Sequence, residues 1–142
     1  MDTAMELLII DGQGGRIGRE VIERIKAEGL PVSITAVGTN SIATAAMLKG
    51  GADRAATGEN AVIVNVRAAD VIVGPLAIVI ADGLLGEITP AMAAAVGQSR
   101  AKKLLLPTGQ CNNIVVGATD VPVKSLLTGV IAELKRTVEE HA

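Results

Sequence analysis

The chain has 142 residues, of which 49% are apolar and 20% are charged, and its formal net charge is −2. A mean hydropathy of +0.47 excludes intrinsic disorder, which requires low hydrophobicity and high net charge. Phe, Trp and Tyr are absent and the pI is near 5.4, which argues against a nucleic-acid partner that would need stacking rings or a basic surface.

Short apolar runs alternate along the chain with helical periods of apolar residues. In chain order, the sequence predicts a strand at Glu6–Ile10, a helix at Arg16–Glu28, a strand at Val32–Val37, a helix from Ser41 through Lys49, a weak strand at Ala52–Thr57, a short helix at Glu59–Val66, a strand at Asp70–Gly74, a helix at Pro90–Gln98, a strand at Lys103–Leu106, a weak candidate strand at Asn113–Val116 and a helix at about Val123–Glu140.

Helix ends carry recognisable signals in this sequence. Gly29 is a candidate C-cap of the first helix, and Ser41 is a candidate N-cap of the second. Thr89-Pro90 supplies an N-cap and a first helical residue for the fourth. The segment Leu76–Leu84 is apolar all round, so a helix there would lie in the core or in an interface.

The alternation of strands and helices is typical of βαβ units, which form a parallel sheet through right-handed crossovers. The strands are continuously apolar, as expected where helices cover both faces of a sheet. The length matches one domain. We therefore expect residues 1–142 to form a single α/β domain, a Rossmann-like three-layer α/β/α sandwich with a mostly parallel sheet.

A glycine-rich turn follows the first strand, with the sequence Asp11-Gly12-Gln13-Gly14-Gly15-Arg16-Ile17-Gly18. Its glycines fit either G-x-G-x-x-x-G, through Gly14, or G-x-x-G-x-x-G, through Gly15. Such glycines allow a tight turn, a close approach of the backbone to a phosphate and close helix–strand packing. The following helix offers unpaired N–H groups to an anion. The turn therefore predicts a phosphate site, and all of its residues except Arg16 are candidate ligand-binding residues.

Two features of the sequence weaken the prediction of a dinucleotide. An NAD site needs Asp or Glu at the end of the second strand to bind the ribose hydroxyls, and this chain has Gly38-Thr39-Asn40-Ser41 there. No Arg is present for a 2′-phosphate, although these small polar groups could bind one weakly. Asp11 would repel a phosphate unless it binds a metal or a hydroxyl, and its alternative role is to stabilise the turn.

Polar residues also follow other predicted strands, at the edge where ligands bind in open α/β sheets. The candidate binding residues there are Thr39, Asn40 and Ser41, then Thr57, Glu59 and Asn60, then Cys111, Asn112 and Asn113. Structural alternatives are helix capping for Ser41, turn formation for Thr57 and an inert thiol for Cys111. Glu87, just before Thr89-Pro90, is interpreted as a surface acid.

The sequence assigns no catalytic residues, and the carboxylates left open for acid–base chemistry, with nothing to show that they converge, are Asp11, Glu59, Asp82 and Glu87. Without Tyr, the Tyr–Lys pair of short-chain dehydrogenases cannot form. The one histidine, His141, is the penultimate residue, where a chain is usually poorly ordered, so Cys111 has no internal histidine to activate it. A single cysteine also excludes an internal disulfide and a CxxC metal motif. Whether the protein is an enzyme stays open, and no metal is expected.

No targeting signal is visible. The N-terminus lacks a basic segment followed by an apolar one, so no signal peptide is predicted. The longest apolar stretch, Val71–Ala81, contains a glycine and a proline and is shorter than the roughly 20 residues that a membrane span requires. The sequence therefore predicts a cytoplasmic protein without a membrane partner.

Several segments together resemble a small bacterial family catalogued as domain of unknown function 3842. They are Ile10–Gly15 with Ile17-Gly18, Gly38–Thr44, Ala56–Ala61, Gly86–Met92 and Cys111–Gly117. The similarity covers nearly the whole chain, which implies that the chain is a complete protein. The family has no established activity, so the resemblance supplies no catalytic residues and no cofactor.

Three functions stay open at this point. The first is binding of a nucleotide or another phosphate-bearing small molecule at the glycine-rich turn, with NADP or another nucleotide as the candidate cofactor. The second is a non-enzymatic oligomeric sensor or scaffold in which the glycines serve only the turn. The third and weaker one is an NAD(P)-dependent reductase whose site is shared between subunits. The apolar segment Leu76–Leu85 favours a homo-oligomer.

Overall fold

A computed structural model describes residues 4–108 and 112–141 of the chain. The elements in chain order are β1 (Met5–Asp11), α1 (Arg16–Glu28), β2 (Val32–Gly38), α2 (Ser41–Gly50), β3 (Arg54–Thr57), α3 (Glu59–Asn65), β4 (Val71–Pro75), a 3₁₀ turn (Leu76–Val79), α4 (Pro90–Gln98), β5 (Lys102–Leu106) and α5 (Val123–His141).

The five strands form one sheet in the order β3-β2-β1-β4-β5. All four pairings are parallel, and in the centre Leu8 of β1 lies opposite Thr35 of β2 and Ile72 of β4. The prediction of a Rossmann-like three-layer sandwich is confirmed. The strand order reverses between β1 and β4, and open α/β sheets bind ligands at the carboxyl edge beside such a switch point.

Helices cover both faces of the sheet. One face packs against α1, α2 and α5, with Ile22 and Leu134 among its buried residues. The opposite face packs against α3, α4 and the 3₁₀ turn, with Val62 and Val96 buried. The central strand β1 is therefore covered on both sides, which explains why its apolar run is continuous rather than alternating.

The segments after β4 and β5 contain less regular structure than the sequence offered. The segment after β4 forms only one 3₁₀ turn, because the backbone becomes extended at Ile80, and further turns follow. Ala77 and Ile78 of this segment are buried in the core of the chain itself, whereas Leu85 is 90% exposed. The candidate strand at Asn113–Val116 is irregular, because that segment pairs with no strand among the described residues.

Helix α5 closes the outer layer next to β5. Its apolar stripe is buried through Leu127, Val130, Ile131 and Leu134, as the helical period predicts. Its other positions are mostly charged or small. Within residues 4–108 and 112–141, no helix is long and apolar enough to cross a membrane.

The N-cap of α2 is Asn40, and the prediction of Ser41 was wrong. Asn40 has an extended backbone, and its side-chain oxygen accepts a hydrogen bond from the N–H of Ala43 at 2.9 Å. Ser41 is the first helical residue and is exposed. Both residue types are good N-caps, so the distinction depends on where the backbone turns into the helix.

Replacing Asn40 by Ala should lower the free energy of unfolding by about 1 kcal/mol or more, because the N–H of Ala43 loses its acceptor. Ser41→Ala is the matched control and should change it by less than about 0.5 kcal/mol, as expected for an exposed position. Urea unfolding followed by far-ultraviolet circular dichroism measures both. Equal losses in the two variants would contradict the assignment of the cap.

Candidate functional site

The glycine-rich turn lies at the carboxyl edge of the sheet, between β1 and α1. Gly15 is in the left-handed region with a φ of 70°, and a Cβ there would lie 2.7 Å from backbone atoms of Ala43. Gly18 allows α1 to approach Asp11 and Met47, since a Cβ would lie 3.1 Å from the Asp11 Cβ. Both positions therefore require glycine.

The structure selects one of the two glycine spacings. A Cβ at Gly12 would lie 2.7 Å from Thr39 Oγ1 and 2.8 Å from Leu84 Cδ1. Apart from residues 13–15 themselves, no heavy atom of the described residues comes within 4 Å of a Cβ built on Gly14. The packing therefore requires Gly12, Gly15 and Gly18, the G-x-x-G-x-x-G spacing, and leaves the Gly14 position open.

Asp11 stabilises the turn, which was its alternative role. Its buried carboxylate accepts hydrogen bonds from the N–H of Gly12 at 2.8 Å and of Gly18 at 2.7 Å. Gly18 is the third residue of α1, so the carboxylate also caps that helix. Burial raises the pKa of Asp11, the two backbone hydrogen bonds lower it, and the charge of Glu87 raises it further.

Glu87 is not the surface acid that its sequence context suggested. Its Oε1 accepts hydrogen bonds from the N–H of Gln13 at 2.8 Å, from Thr39 Oγ1 at 2.5 Å and from Asn40 Nδ2 at 2.9 Å. The hydrogen bond from Thr39, with smaller contributions from Gln13 and Asn40, lowers the pKa of Glu87 against the opposing effect of desolvation. Glu87 is therefore an ionised acceptor at neutral pH.

The loop after β4 positions Glu87. Hydrogen bonds between the N–H of Asp82 and the carbonyl of Ile88 (2.8 Å) and between the N–H of Ile88 and the carbonyl of Gly83 (3.0 Å) close this loop on itself. Leu84 is buried beneath the loop and lies above Gly12. The closed loop thereby holds the Glu87 carboxylate against the glycine turn and the end of β2.

The turn is consequently not an empty anion site. Two carboxylates of the chain occupy the N–H groups of Gly12, Gln13 and Gly18. The N–H groups of Gly14, Arg16 and Ile17 have no acceptor within the described part of the chain. Gly14 and Arg16 are exposed, and the side chain of Arg16 pairs with Glu20 at 3.2 Å.

Other candidate residues meet in pairs along the same edge. Thr39 and Asn40 lie beside the turn, and Asn40 Nδ2 also donates to the carbonyl oxygen of Gln13 at 3.0 Å. The hydroxyl oxygens of Thr57 and Thr44 are 2.7 Å apart.

Glu59, at the start of α3, accepts a hydrogen bond from Thr89 Oγ1 at 2.5 Å. Because Thr89 also caps α4 through the N–H of Met92, this contact joins the starts of α3 and α4.

Some predicted site residues are not brought to the turn by any described contact. Ser41 and Asn60 are exposed in the first turns of α2 and α3. Asn112 and Asn113 are exposed on the segment between β5 and α5. Cys111 lies outside the described residues. Across residues 4–108 and 112–141, no group of three or more His, Cys, Asp or Glu side chains could hold a metal ion.

The sequence interpretation of Glu87 as a surface acid and of Thr89 as a helix cap leaves both out of the candidate binding residues, although both contact predicted site residues. The sequence places its candidate binding residues after the other strands and not on the long loop after β4. In a parallel sheet, the loops after all strands emerge at the same edge. That rule alone would have added Glu87 and Thr89 to the candidates.

The fold and this edge define a Rossmann-like α/β protein with a glycine-rich turn at its topological switch point. The chain belongs to the family described as Domain of unknown function (DUF3842), which matches residues 6–139. The resemblance found in the sequence is thus confirmed. No curated protein and no solved structure matches the chain. The functional argument therefore depends on the geometry of the site.

Gly15→Ala should lower the free energy of unfolding by about 2–4 kcal/mol, because it combines a left-handed backbone with overlap on the Ala43 backbone. Gly14→Ala should change it by less than about 0.5 kcal/mol, as expected at an exposed position without overlap. Urea unfolding followed by circular dichroism compares the two. A larger loss in Gly14→Ala would contradict the glycine spacing that the structure selects.

Glu87→Gln should destabilise the protein at neutral pH but not in acid. The lowered pKa of Glu87 means that its ionised form contributes stability above the ordinary glutamate pKa of about 4.3. That contribution is lost as the pH falls through the lowered value. The difference in unfolding free energy between wild type and variant should therefore shrink as the pH falls below about 4.

Glu139→Gln is the control, because Glu139 is exposed and has no ion pair with the described residues. Its difference from wild type should stay flat with pH. Asp11 contributes in the opposite direction, since its pKa is raised. Burial is the main cause of that rise and the charge of Glu87 the smallest, so the contribution of Asp11 is similar in all three proteins. A pH-independent difference for Glu87→Gln would contradict the ionised hydrogen-bonded state.

Proposed function

We propose that the protein binds a nucleotide or another phosphate-bearing small molecule at the glycine-rich turn after β1. The observation that carries this proposal is the open set of N–H groups of Gly14, Arg16 and Ile17 at the start of α1. They lie at the edge of the sheet, and next to the switch point, where this fold class binds ligands.

The turn suits a phosphate for two physical reasons. The 13 residues of α1 give its N-terminus a partial positive charge of roughly half an elementary charge, and the unpaired N–H groups point outward there. Gly14 has no neighbour within 4 Å of its Cβ position, so a phosphate oxygen can approach the backbone. A phosphate bound there would accept hydrogen bonds from Gly14, Arg16 and Ile17.

One observation favours a second candidate function, the non-enzymatic scaffold. The carboxylates of Asp11 and Glu87 already satisfy three N–H groups of the turn and its helix. Asp11 also places a negative charge at the helix N-terminus, which opposes the binding of an anion. In this second function the glycines serve the turn and its packing, and no ligand enters.

Thermal unfolding in the presence of inorganic phosphate, AMP, ADP, NAD and NADP separates the two functions. A ligand at about 100 times its dissociation constant should stabilise the fold by about 2.7 kcal/mol. For a chain of this size that corresponds to an increase in Tm of roughly 5–10 °C. The absence of aromatic residues also makes a co-purified nucleotide visible in the near-ultraviolet spectrum.

Gly14→Val should abolish the increase in Tm, because its side chain would cover the open N–H groups without disturbing the packing. The matched control is Gly97→Val, since Gly97 is exposed in α4 and also has no neighbour within 4 Å. Gly97→Val should keep the increase. If no compound raises the Tm of the wild type, the proposal is wrong and the scaffold function is favoured.

A further inference from the structure

We propose that Glu87 determines the specificity of this site and selects a ligand that presents unphosphorylated hydroxyl groups to it. The ligand class is a nucleoside phosphate with a free ribose diol, such as AMP or NAD, in preference to its 2′-phosphorylated counterpart. This inference depends on the proposed function. The carboxylate of Glu87, from the loop after β4, lies at the end of β2, where the sequence of β2 itself provides no acid.

The carboxylate of Glu87 has one oxygen with hydrogen-bond partners and one without among the described residues. Oε1 of Glu87 accepts hydrogen bonds from Gln13, Thr39 and Asn40, which fixes the orientation of the group. Oε2 receives no hydrogen bond from any residue in 4–108 or 112–141. Glu87 is only half-buried, so Oε2 is an ionised acceptor that remains open to a ligand bound beside the turn.

The side chains of Thr39 and Asn40, at the end of β2, already donate their hydrogens within the chain. The hydroxyl of Thr39 has one hydrogen, and it is donated to Glu87. The amide of Asn40 has two, which are donated to Glu87 and to the carbonyl oxygen of Gln13. The side-chain oxygen of Asn40 accepts from Ala43. Thr39 and Asn40 therefore have no side-chain hydrogen left for a 2′-phosphate, and the hydroxyl of the exposed Ser41 is the remaining side-chain donor there among the described residues.

The negative charges of Glu87 and Asp11 also favour a hydroxyl over a phosphate beside them. The ion pairs among the described residues include none to Glu87 or Asp11, so neither carboxylate is neutralised by a lysine or arginine there. A 2′-phosphate placed beside them would meet like charge, which costs several kcal/mol at an interface. A hydroxyl pair would instead donate to an ionised acceptor, and such charge-assisted hydrogen bonds are the stronger class.

The edge of the sheet is thus divided between two kinds of group. The start of α1 offers donors, which suit a phosphate, and the end of β2 with Glu87 offers acceptors, which suit hydroxyls. A ligand that fits both has an anionic end and a hydroxyl-bearing part. This division distinguishes a nucleoside phosphate with a free diol from inorganic phosphate and from a 2′-phosphorylated nucleotide.

Isothermal titration calorimetry of the full chain with NAD and NADP, and with AMP and adenosine 2′,5′-bisphosphate, tests the inference. The wild type should bind the member of each pair with the free diol at least about tenfold more tightly. In Glu87→Gln, which retains Oε1 as an acceptor but lacks the charge, this ratio should fall by about tenfold or more. Glu139→Gln should retain the wild-type ratio, and circular dichroism confirms the fold of each variant.

Each other outcome is decisive. Equal binding of both members of a pair, or a ratio unchanged in Glu87→Gln, overturns the specificity role while nucleotide binding stands. Tighter binding of inorganic phosphate and of every nucleotide by Glu87→Gln would show that Glu87 occupies the place of the phosphate, which also overturns the inference. If the wild type binds none of these compounds, the proposed function fails and the inference fails with it.

Discussion

The hydrogen bond from the backbone N–H of Gln13 to the carboxylate of Glu87 joins the two loops that flank the switch point of the sheet. The same carboxylate accepts from Thr39 and Asn40 at the end of β2. One ionised group therefore holds the loops after three strands in a common position. The shape and the polarity of the carboxyl edge both depend on this carboxylate, since without it the three donors of Gln13, Thr39 and Asn40 would lose their acceptor.

The loop that carries Glu87 has an unfavourable backbone. Asp82, Leu84 and Leu85 all have φ values between 55° and 64°, a region that costs about 1–2 kcal/mol for each residue with a side chain. Burial of Leu84 and the backbone hydrogen bonds that close the loop offset this cost. Strained backbone that is held in this way is commonly found at functional sites, which agrees with a binding role for the residue that the loop presents.

Two buried or half-buried carboxylates define the electrostatics of the edge, and they act differently. Asp11 is enclosed by the turn and caps α1, so its charge is used within the chain. Glu87 has one oxygen in the hydrogen-bond cluster and a second that accepts no hydrogen bond from the described residues. The first carboxylate stabilises the turn, and in the proposed function the second would accept from a ligand. A phosphate would then approach the donors that remain at the start of α1, at Gly14, Arg16 and Ile17.

Local patterns in the sequence determined the elements of the fold, the glycine turn and the cap of α4. Helix α1 has the bounds that its apolar period predicts, and the parallel sheet follows from continuously apolar strands. Only the tertiary structure decided which glycines the packing requires and which carboxylate reaches the turn. Gln13 and Glu87 are 74 positions apart, and their contact depends on strand order and on a closed loop. Hydrogen bonds of that range leave no periodic signal in a single sequence, because a polar residue before a helix looks the same whether it meets solvent or a distant backbone N–H.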